Sequence, residues 1–156
     1  MEKELIITRI FDAPRKLVCK AWTEPEMFKK WWGPKVFTAP TIKIDLQTGG
    51  KYLYCMRGPD GKDYWSTGVY REIVPMERIV VTDSFADEKG NVVPSTHYGV
   101  KGFPMELEVT VEFEEIDDNK TKMTLKYPGL DISDTDRRNM QQGWNESFDK
   151  LAEILK

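Results

Sequence analysis

The stretch that decides the fold is residues 133–156, SDTDRRNMQQGWNESFDKLAEILK. Its apolar residues recur at spacings of three and four, as on one face of a helix: Met140, Trp144, Phe148, Leu151 and Leu155. Ser133 is a typical N-cap residue, and Asp134 and Asp136 suit the positive end of a helix dipole. A helix of roughly 20 residues is about 30 Å long. Only a sheet offers such a helix a long enough partner, so we expect its apolar stripe to pack in the concave face of one.

The preceding chain supplies that sheet after a short helical region. Residues 5–11 are rich in β-branched side chains and predict a strand, followed by a helix that begins near Asp12 and Pro14. Thr23-Glu24-Pro25-Glu26 matches a capping box and predicts a second short helix that reaches Trp31. Two short helices therefore separate the first strand from the rest of the sheet.

Residues 36–127 predict six further strands with turns between them. The alternation is clear in 105–115, where apolar side chains alternate with glutamates, but ambiguous in 64–74 and 77–85, whose faces stay unassigned. Residues 86–104 carry three glycines and two prolines and predict a long loop. The expected fold is α+β, with the order β-α-α-β-β-β-β-β-β-α and a curved antiparallel sheet. Its 156 residues fit one domain over 1–156.

Composition excludes several classes of function. A net charge of −3 gives no basic face for nucleic acid, and no apolar run approaches the ~20 residues of a membrane span. The N-terminal residues lack the apolar core of a signal peptide, so we expect a cytoplasmic protein. Cys19 and Cys55 have no metal-ligand spacing. We expect no metal and no cofactor.

Several strings, in this order along the chain, resemble the START-like (SRPBCC, helix-grip) superfamily, and within it the bacterial homologues of the activator of the heat-shock-chaperone ATPase. The strings are Thr8 to Pro14, Ala21-Trp22-Thr23, Trp31 to Pro34, Gly49-Gly50, Arg57 to Gly61, Gly68 to Ile73 and Gln142-Gly143-Trp144. The resemblance implies a seven-stranded sheet, as in the birch-pollen allergen, that grips the final helix. In relatives the cavity between them receives apolar or amphipathic small molecules.

The aromatic surplus, with seven Phe, six Tyr and five Trp, indicates either a lined pocket or a filled core. The candidate ligand-binding residues are Trp31, Trp32, Tyr52, Tyr54, Met56, Met140, Trp144 and Phe148. Gly143 lies inside the last helix, where glycine costs about 1 kcal/mol relative to alanine. Three reasons for a glycine at this position remain open: close approach of the sheet, room for a ligand, or simple tolerance.

Glu72 and His97 are possible polar groups of the pocket, although a solvent-facing Arg71 and Glu72 pair is the alternative. No nucleophile elbow, glycine-rich phosphate loop or other catalytic motif is present, so no catalytic residue is assigned.

Three functions follow from these observations. The first is a non-catalytic module that binds an apolar or aromatic small molecule. The second is a cyclase- or hydratase-like enzyme in which His97, Tyr54 or Glu72 moves protons in the same pocket. The third is a partner of the heat-shock chaperone ATPase. The third ranks last, because the eukaryotic activator has a further N-terminal domain and this chain begins almost directly at the first strand. An exposed edge strand also makes a homodimer possible.

Overall fold

A seven-stranded antiparallel sheet and a long C-terminal helix form the fold in the computed structural model, which describes residues 4–156. The first three residues of the predicted 1–156 domain lie outside this description. The elements, in chain order, are β1 Leu5–Phe11, α1 Arg15–Thr23, α2 Pro25–Phe28, β2 Thr38–Ile44, β3 Lys51–Arg57, β4 Asp63–Val74, β5 Arg78–Ala86, a 3-10 turn Ser95–Tyr98, β6 Leu107–Asp117, β7 Lys120–Tyr127 and α3 Asp134–Ile154. The α+β class, the helix-grip architecture and the predicted order of strands and α-helices are confirmed.

The strand order β1-β7-β6-β5-β4-β3-β2 explains how the sheet is completed. Strands β2 to β7 form a meander, while β1 pairs with β7 from Leu5 opposite Tyr127 to Phe11 opposite Thr121. The first strand of the chain is therefore held by the last one. Strand β7 then leads through a short loop into α3.

Helix α3 begins as its sequence predicts and buries its apolar stripe. The Ser133 hydroxyl oxygen accepts a hydrogen bond from the Asp136 backbone N–H at 3.1 Å. Phe148 and Leu151 are fully buried in the core. At Gly143 an added Cβ would lie 3.6 Å from Cγ of Pro34, an ordinary contact, so neither the sheet nor a close backbone requires glycine there.

Helices α1 and α2 differ in detail from the sequence-based expectation. Helix α1 begins at Arg15 with Pro14 as its N-cap, so Asp12 is not the cap. The predicted capping box does not form, because the Thr23 hydroxyl donates to the Cys19 carbonyl at 3.0 Å within the last turn of α1. Helix α2 consequently starts after Glu24, and it ends at Phe28 instead of Trp31.

A bulge between β4 and β5 settles the faces that the sequence left open. Tyr70 lies opposite Val81 and Glu72 opposite Val80, so one residue of β4 is left over. Nearby, β4 approaches β5 so closely that a Cβ on Gly68 would lie 1.8 Å from the Thr82 carbonyl oxygen. The result is that Tyr70 and Val81 share the concave face with α3.

Candidate functional site

A small internal space lies between the concave face of the sheet, α2 and α3. Its volume is about 40 Å³. Aromatic, branched apolar and hydroxyl-bearing residues and one carboxylate line it: Trp22, Phe28, Trp32, Tyr52, Tyr54, Tyr70, Ile79, Val81, Asp83, Val109, Val111, Tyr127 and Trp144. Drug-sized ligands occupy pockets of roughly 300–1,000 Å³, whereas this space has room for a few waters or one small head group. A cavity large enough for a whole ligand is therefore not confirmed.

Stacked aromatic rings make up much of the wall. Tyr52 and Tyr54 stack with their ring centres 4.0 Å apart, and Phe28 stacks on Tyr54 at 4.5 Å. Trp32 contacts both Tyr54 and Trp144, each at 5.1 Å between ring centres. These rings form a continuous surface from β3 across the segment after α2 to α3, so movement of Trp32 or Trp144 would enlarge the space.

Asp83 supplies the carboxylate of this wall. The Tyr52 hydroxyl, which is buried, lies 3.0 Å from Asp83 Oδ1 and 3.1 Å from the Thr82 carbonyl oxygen. Removal from solvent raises the pKa of Asp83 to about 6, although the hydrogen bond from Tyr52 acts in the opposite direction. The side chain nevertheless keeps a partly accessible surface, since it faces the internal space.

The tyrosines around Asp83 stay protonated. Burial raises the pKa of Tyr52, Tyr54 and Tyr127 well above the ordinary range, and the negative charge of Asp83 adds to each rise. Burial also raises the pKa of Tyr70. At neutral pH the space is thus bordered by neutral hydroxyl groups and one carboxylate.

Two tryptophan N–H groups belong to the same wall. Trp144 Nε1 donates to the Tyr127 hydroxyl at 3.0 Å. Trp32 Nε1 is buried and has no hydrogen-bond partner among residues 4–156. An unpaired buried donor costs about 1–3 kcal/mol, so a water or a ligand acceptor at this position would stabilise the protein.

The structure brings only part of the predicted pocket set to this space. Trp32, Tyr52, Tyr54 and Trp144 line it. Trp31 and Phe148 are not among its lining residues, and both are fully buried in the core. Two methionines are also elsewhere: Met56 lies beneath Gly33, and Met140 packs partly buried against the edge of the core.

The two predicted polar groups do not line the space. Glu72 forms an ion pair with Arg78, and both side chains are more than two-fifths exposed. Arg71 and Glu72 both face solvent, as the alternative interpretation expects, and Arg71 pairs with Glu106 at 3.0 Å. His97 is exposed in the 3-10 turn, with its ring 4.8 Å from that of Tyr98. The bulge in β4 turns Glu72 to the convex face, and the loop that carries His97 packs on the end of β5 through Tyr98 and Phe85.

Within residues 4–156, no three His, Cys, Asp or Glu side chains come together in a way that would hold a metal ion. In the same part of the chain, no helix has both the length and the apolar character needed to cross a bilayer.

The family described as Activator of Hsp90 ATPase homolog 1-like protein matches residues 12–156. The chain belongs to this family. The match is consistent with the START-like superfamily that the sequence resembles.

Solved structures share the fold of this Activator of Hsp90 ATPase homolog 1-like chain. A protein from Arthrobacter aurescens is 27% identical with a TM-score of 0.80, over 97% of this chain and 85% of that one. Protein NE0264 from Nitrosomonas europaea is 22% identical with a TM-score of 0.79, over 97% and 93% of the two chains. The AHSA1 protein from Silicibacter pomeroyi is 20% identical with a TM-score of 0.76, over 98% and 97%. Among curated proteins, none matches the sequence.

The sequence interpretation missed Asp83 and Tyr127 as wall residues of this Activator of Hsp90 ATPase homolog 1-like domain. Both could have been predicted from the alternation of side chains between the two faces of a strand. Asp83 continues the alternation of Ile79 and Val81, and Tyr127 ends a similar alternation in β7. The run Ile79-Val80-Val81 obscured the first pattern, because three apolar residues in succession do not identify a face.

The segment between α2 and β2 that follows Trp32 is hydrogen-bonded to α3. Lys150 Nζ donates to the carbonyl oxygens of Pro34 at 3.0 Å and Phe37 at 3.1 Å. Glu146 Oε1 accepts from the Lys35 backbone N–H at 3.1 Å. In this family member, the residues that follow Trp32 are thus attached to α3 by one cation and one anion.

Proposed function

We propose that the chain acts as one cytoplasmic, non-catalytic domain that binds a small amphipathic molecule between the sheet and α3. The observation that carries the proposal is Trp32 Nε1, a buried donor without an acceptor in the wall of an internal space. Such groups are rare in folded proteins, and a ligand acceptor offsets their cost. The surrounding rings suit an apolar or aromatic ligand body.

The volume of about 40 Å³ fits only part of such a ligand. We therefore propose that a polar head group enters the existing space and that the ligand body displaces Trp32 or the segment after it. Side chains at a binding surface commonly change rotamer when a partner binds. The edge-to-face contact of Trp32 with Trp144, 5.1 Å between ring centres, is the one that has to open.

A thermal-shift screen against amphipathic metabolites, followed by calorimetry, tests this proposal. A ligand at 100 times its Kd adds about 2.7 kcal/mol, which corresponds to roughly 5–10 °C in Tm for a domain of this size. The space-filling change Val81→Phe, or the milder Val81→Leu if the first variant does not fold, should weaken binding at least tenfold. The exposed control Glu72→Gln should bind as the wild type does. Ligands that bind both Val81 variants as tightly as they bind the wild type would contradict the proposal, and so would a screen without any hit.

A cyclase- or hydratase-like enzyme is the second candidate, and Asp83 favours it. A carboxyl group with a pKa near 6 beside neutral tyrosine hydroxyls is suited to proton transfer near neutral pH. The enzyme would be supported if the wild type converts a bound ligand and the Asp83→Asn variant still binds that ligand but no longer converts it. Binding without turnover would favour the carrier or sensor.

The family description keeps the chaperone partner as a third candidate. It rests on that description alone. Stimulation of the purified chaperone's ATPase by this protein would support it, and the absence of both stimulation and co-purification would remove it.

A further inference from the structure

The Asp83 carboxylate has no cationic partner in the described part of the chain. Its Oδ1 accepts from the Tyr52 hydroxyl, and none of the ion pairs formed within residues 4–156 includes it. Its Oδ2 accepts no side-chain or backbone hydrogen bond from those residues. A carboxylate that is largely removed from water without a counter-charge is unfavourable, and a bound cation offsets that cost.

The surroundings of Asp83 fit a cation better than they fit an anion or a purely apolar group. The same space is lined by the indole rings of Trp32 and Trp144 and by four tyrosines, Tyr52, Tyr54, Tyr70 and Tyr127. The faces of Trp and Tyr rings attract cations through their quadrupoles. The remaining wall is apolar, with Val81, Val109 and Val111 among its residues.

The size of the space agrees with one small charged group. About 40 Å³ is enough for an ammonium head group and too little for an aromatic ring with its substituents. A primary or secondary ammonium also donates hydrogen bonds, which the unoccupied Asp83 Oδ2 accepts. The unpaired Trp32 Nε1 is a donor, and it is available for an acceptor elsewhere on the same ligand.

We infer that the molecule bound between the sheet and α3 carries an ammonium group, which sits against Asp83 among the aromatic rings. This inference rests on the proposed binding function and names the class of its ligand, small organic amines. The neutral counterpart of such an amine, an alcohol of the same shape, lacks the charge that Asp83 requires.

The pH dependence of binding follows from the groups around Asp83. Strand β3 contributes Tyr52 and Tyr54, β4 Tyr70 and β7 Tyr127, and the pKa of each is raised. Among the wall residues, α2 and α3 place only uncharged rings at the space. Because the pKa of Asp83 is about 6, amine binding should weaken as the pH falls from 7 to 5, while alcohol binding should not change.

The experiment compares amine and alcohol pairs on the full-length protein by calorimetry at pH 7.5. The probes are butylamine, benzylamine and 2-phenylethylamine with 1-butanol, benzyl alcohol and 2-phenylethanol. We expect each bound amine to have a Kd at least tenfold below that of its alcohol. The indole N–H resonances of Trp32 and Trp144 locate the site by NMR.

The matched variants are Asp83→Asn, which keeps the shape and removes the charge, and Glu72→Gln, which removes an exposed carboxylate. Asp83→Asn should abolish the preference for amines while the alcohols still bind, and Glu72→Gln should leave the preference intact. Equal Kd values for amine and alcohol in the wild type would overturn the ammonium inference and leave the proposed binding function standing. If neither series perturbs the two indole resonances, both proposals are wrong.

Discussion

At the scale of single residues, Asp83 and Trp32 are the side chains on which the proposed ligand site depends. Asp83 keeps a carboxylate in the interior with a tyrosine hydroxyl as its described partner, and Trp32 keeps a buried N–H with none. Both lie on the same wall. An interior that only had to be filled would be more stable with apolar residues at these positions.

Asp83→Asn should change how stability depends on pH. The folded-state pKa of about 6 exceeds the value of about 3.9 in an unfolded chain, so the folded state binds more protons between these two values. The Asp83 contribution to the free energy of unfolding therefore falls as the pH rises through that window, and the full penalty is present above pH 6.

Urea unfolding between pH 4 and pH 7 tests this prediction. The stability of Asp83→Asn relative to wild type should increase with pH by about 1–3 kcal/mol across the window, the lower end reflecting partial exposure. Glu72→Gln provides the control, since its exposed carboxylate should give a difference with no such trend. A pH-independent difference for Asp83→Asn would show that the carboxyl group is not desolvated.

Four of the thirteen wall residues that the structure describes were predictable from residue types. Trp32, Tyr52, Tyr54 and Trp144 were accessible because large amphipathic rings at concave positions favour such a wall. Trp31 carries the same signal as Trp32 but donates its Nε1 hydrogen bond to the Ala21 carbonyl at 2.9 Å and lies in the core. Neighbouring residues of one type can thus differ in role, and only the direction of the chain after α2 separates them.

At the scale of secondary-structure elements, clear periodicity predicted the structure and irregularity did not. Strand β6 has the buried and exposed alternation that its sequence indicates, with Val109, Val111 and Phe113 buried. The faces of β4 and β5 depend on a bulge between Tyr70 and Glu72, which no hydrophobic pattern reports. Long-range contact between two strands decides such a position, and local propensity does not.

Two glycine substitutions should have opposite effects on stability. Gly143→Ala should raise the free energy of unfolding by about 0.5–1 kcal/mol, because alanine favours the helix and its Cβ meets only Pro34 at 3.6 Å. Gly68→Ala should lower it by at least 2 kcal/mol, roughly as overpacking does, because its Cβ would lie 1.8 Å from the Thr82 carbonyl oxygen. Chemical denaturation of both variants measures the difference. A destabilising Gly143→Ala would indicate that α3 has to bend at this residue.

At the scale of the whole molecule, the fold depends on the pairing of its first and last strands. Strand β1 pairs with β7 over seven residues and contributes Leu5, Ile7 and Phe11 to the core. Arg9 also reaches α3, where it donates to Asp149 at 2.9 Å. Residues more than 100 positions apart therefore have to pair for the sheet to be complete. The family resemblance implied a seven-stranded sheet, but no local pattern in the sequence indicated which strand pairs with β1.

Adjacent isoleucines on β1 test that dependence. Ile7→Ala should lower the free energy of unfolding by about 2–4 kcal/mol, since Ile7 is 4% exposed in the core. Ile6→Ala is the matched control, and with Ile6 at 46% exposure it should change stability by no more than about 0.5 kcal/mol. Equal effects from the two variants would mean that β1 does not have the register described above.

The attachment of the Pro34–Phe37 segment to α3 has a kinetic consequence. If the ligand proposed above displaces this segment, Lys150 has to release the Pro34 and Phe37 carbonyl groups first, and the form that admits the ligand is then a minor population of the free protein. The apparent Kd then equals the intrinsic value divided by the fraction of open molecules. Association is slowed in the same proportion, and a bound ligand is retained by the closing of the segment as well as by its own contacts.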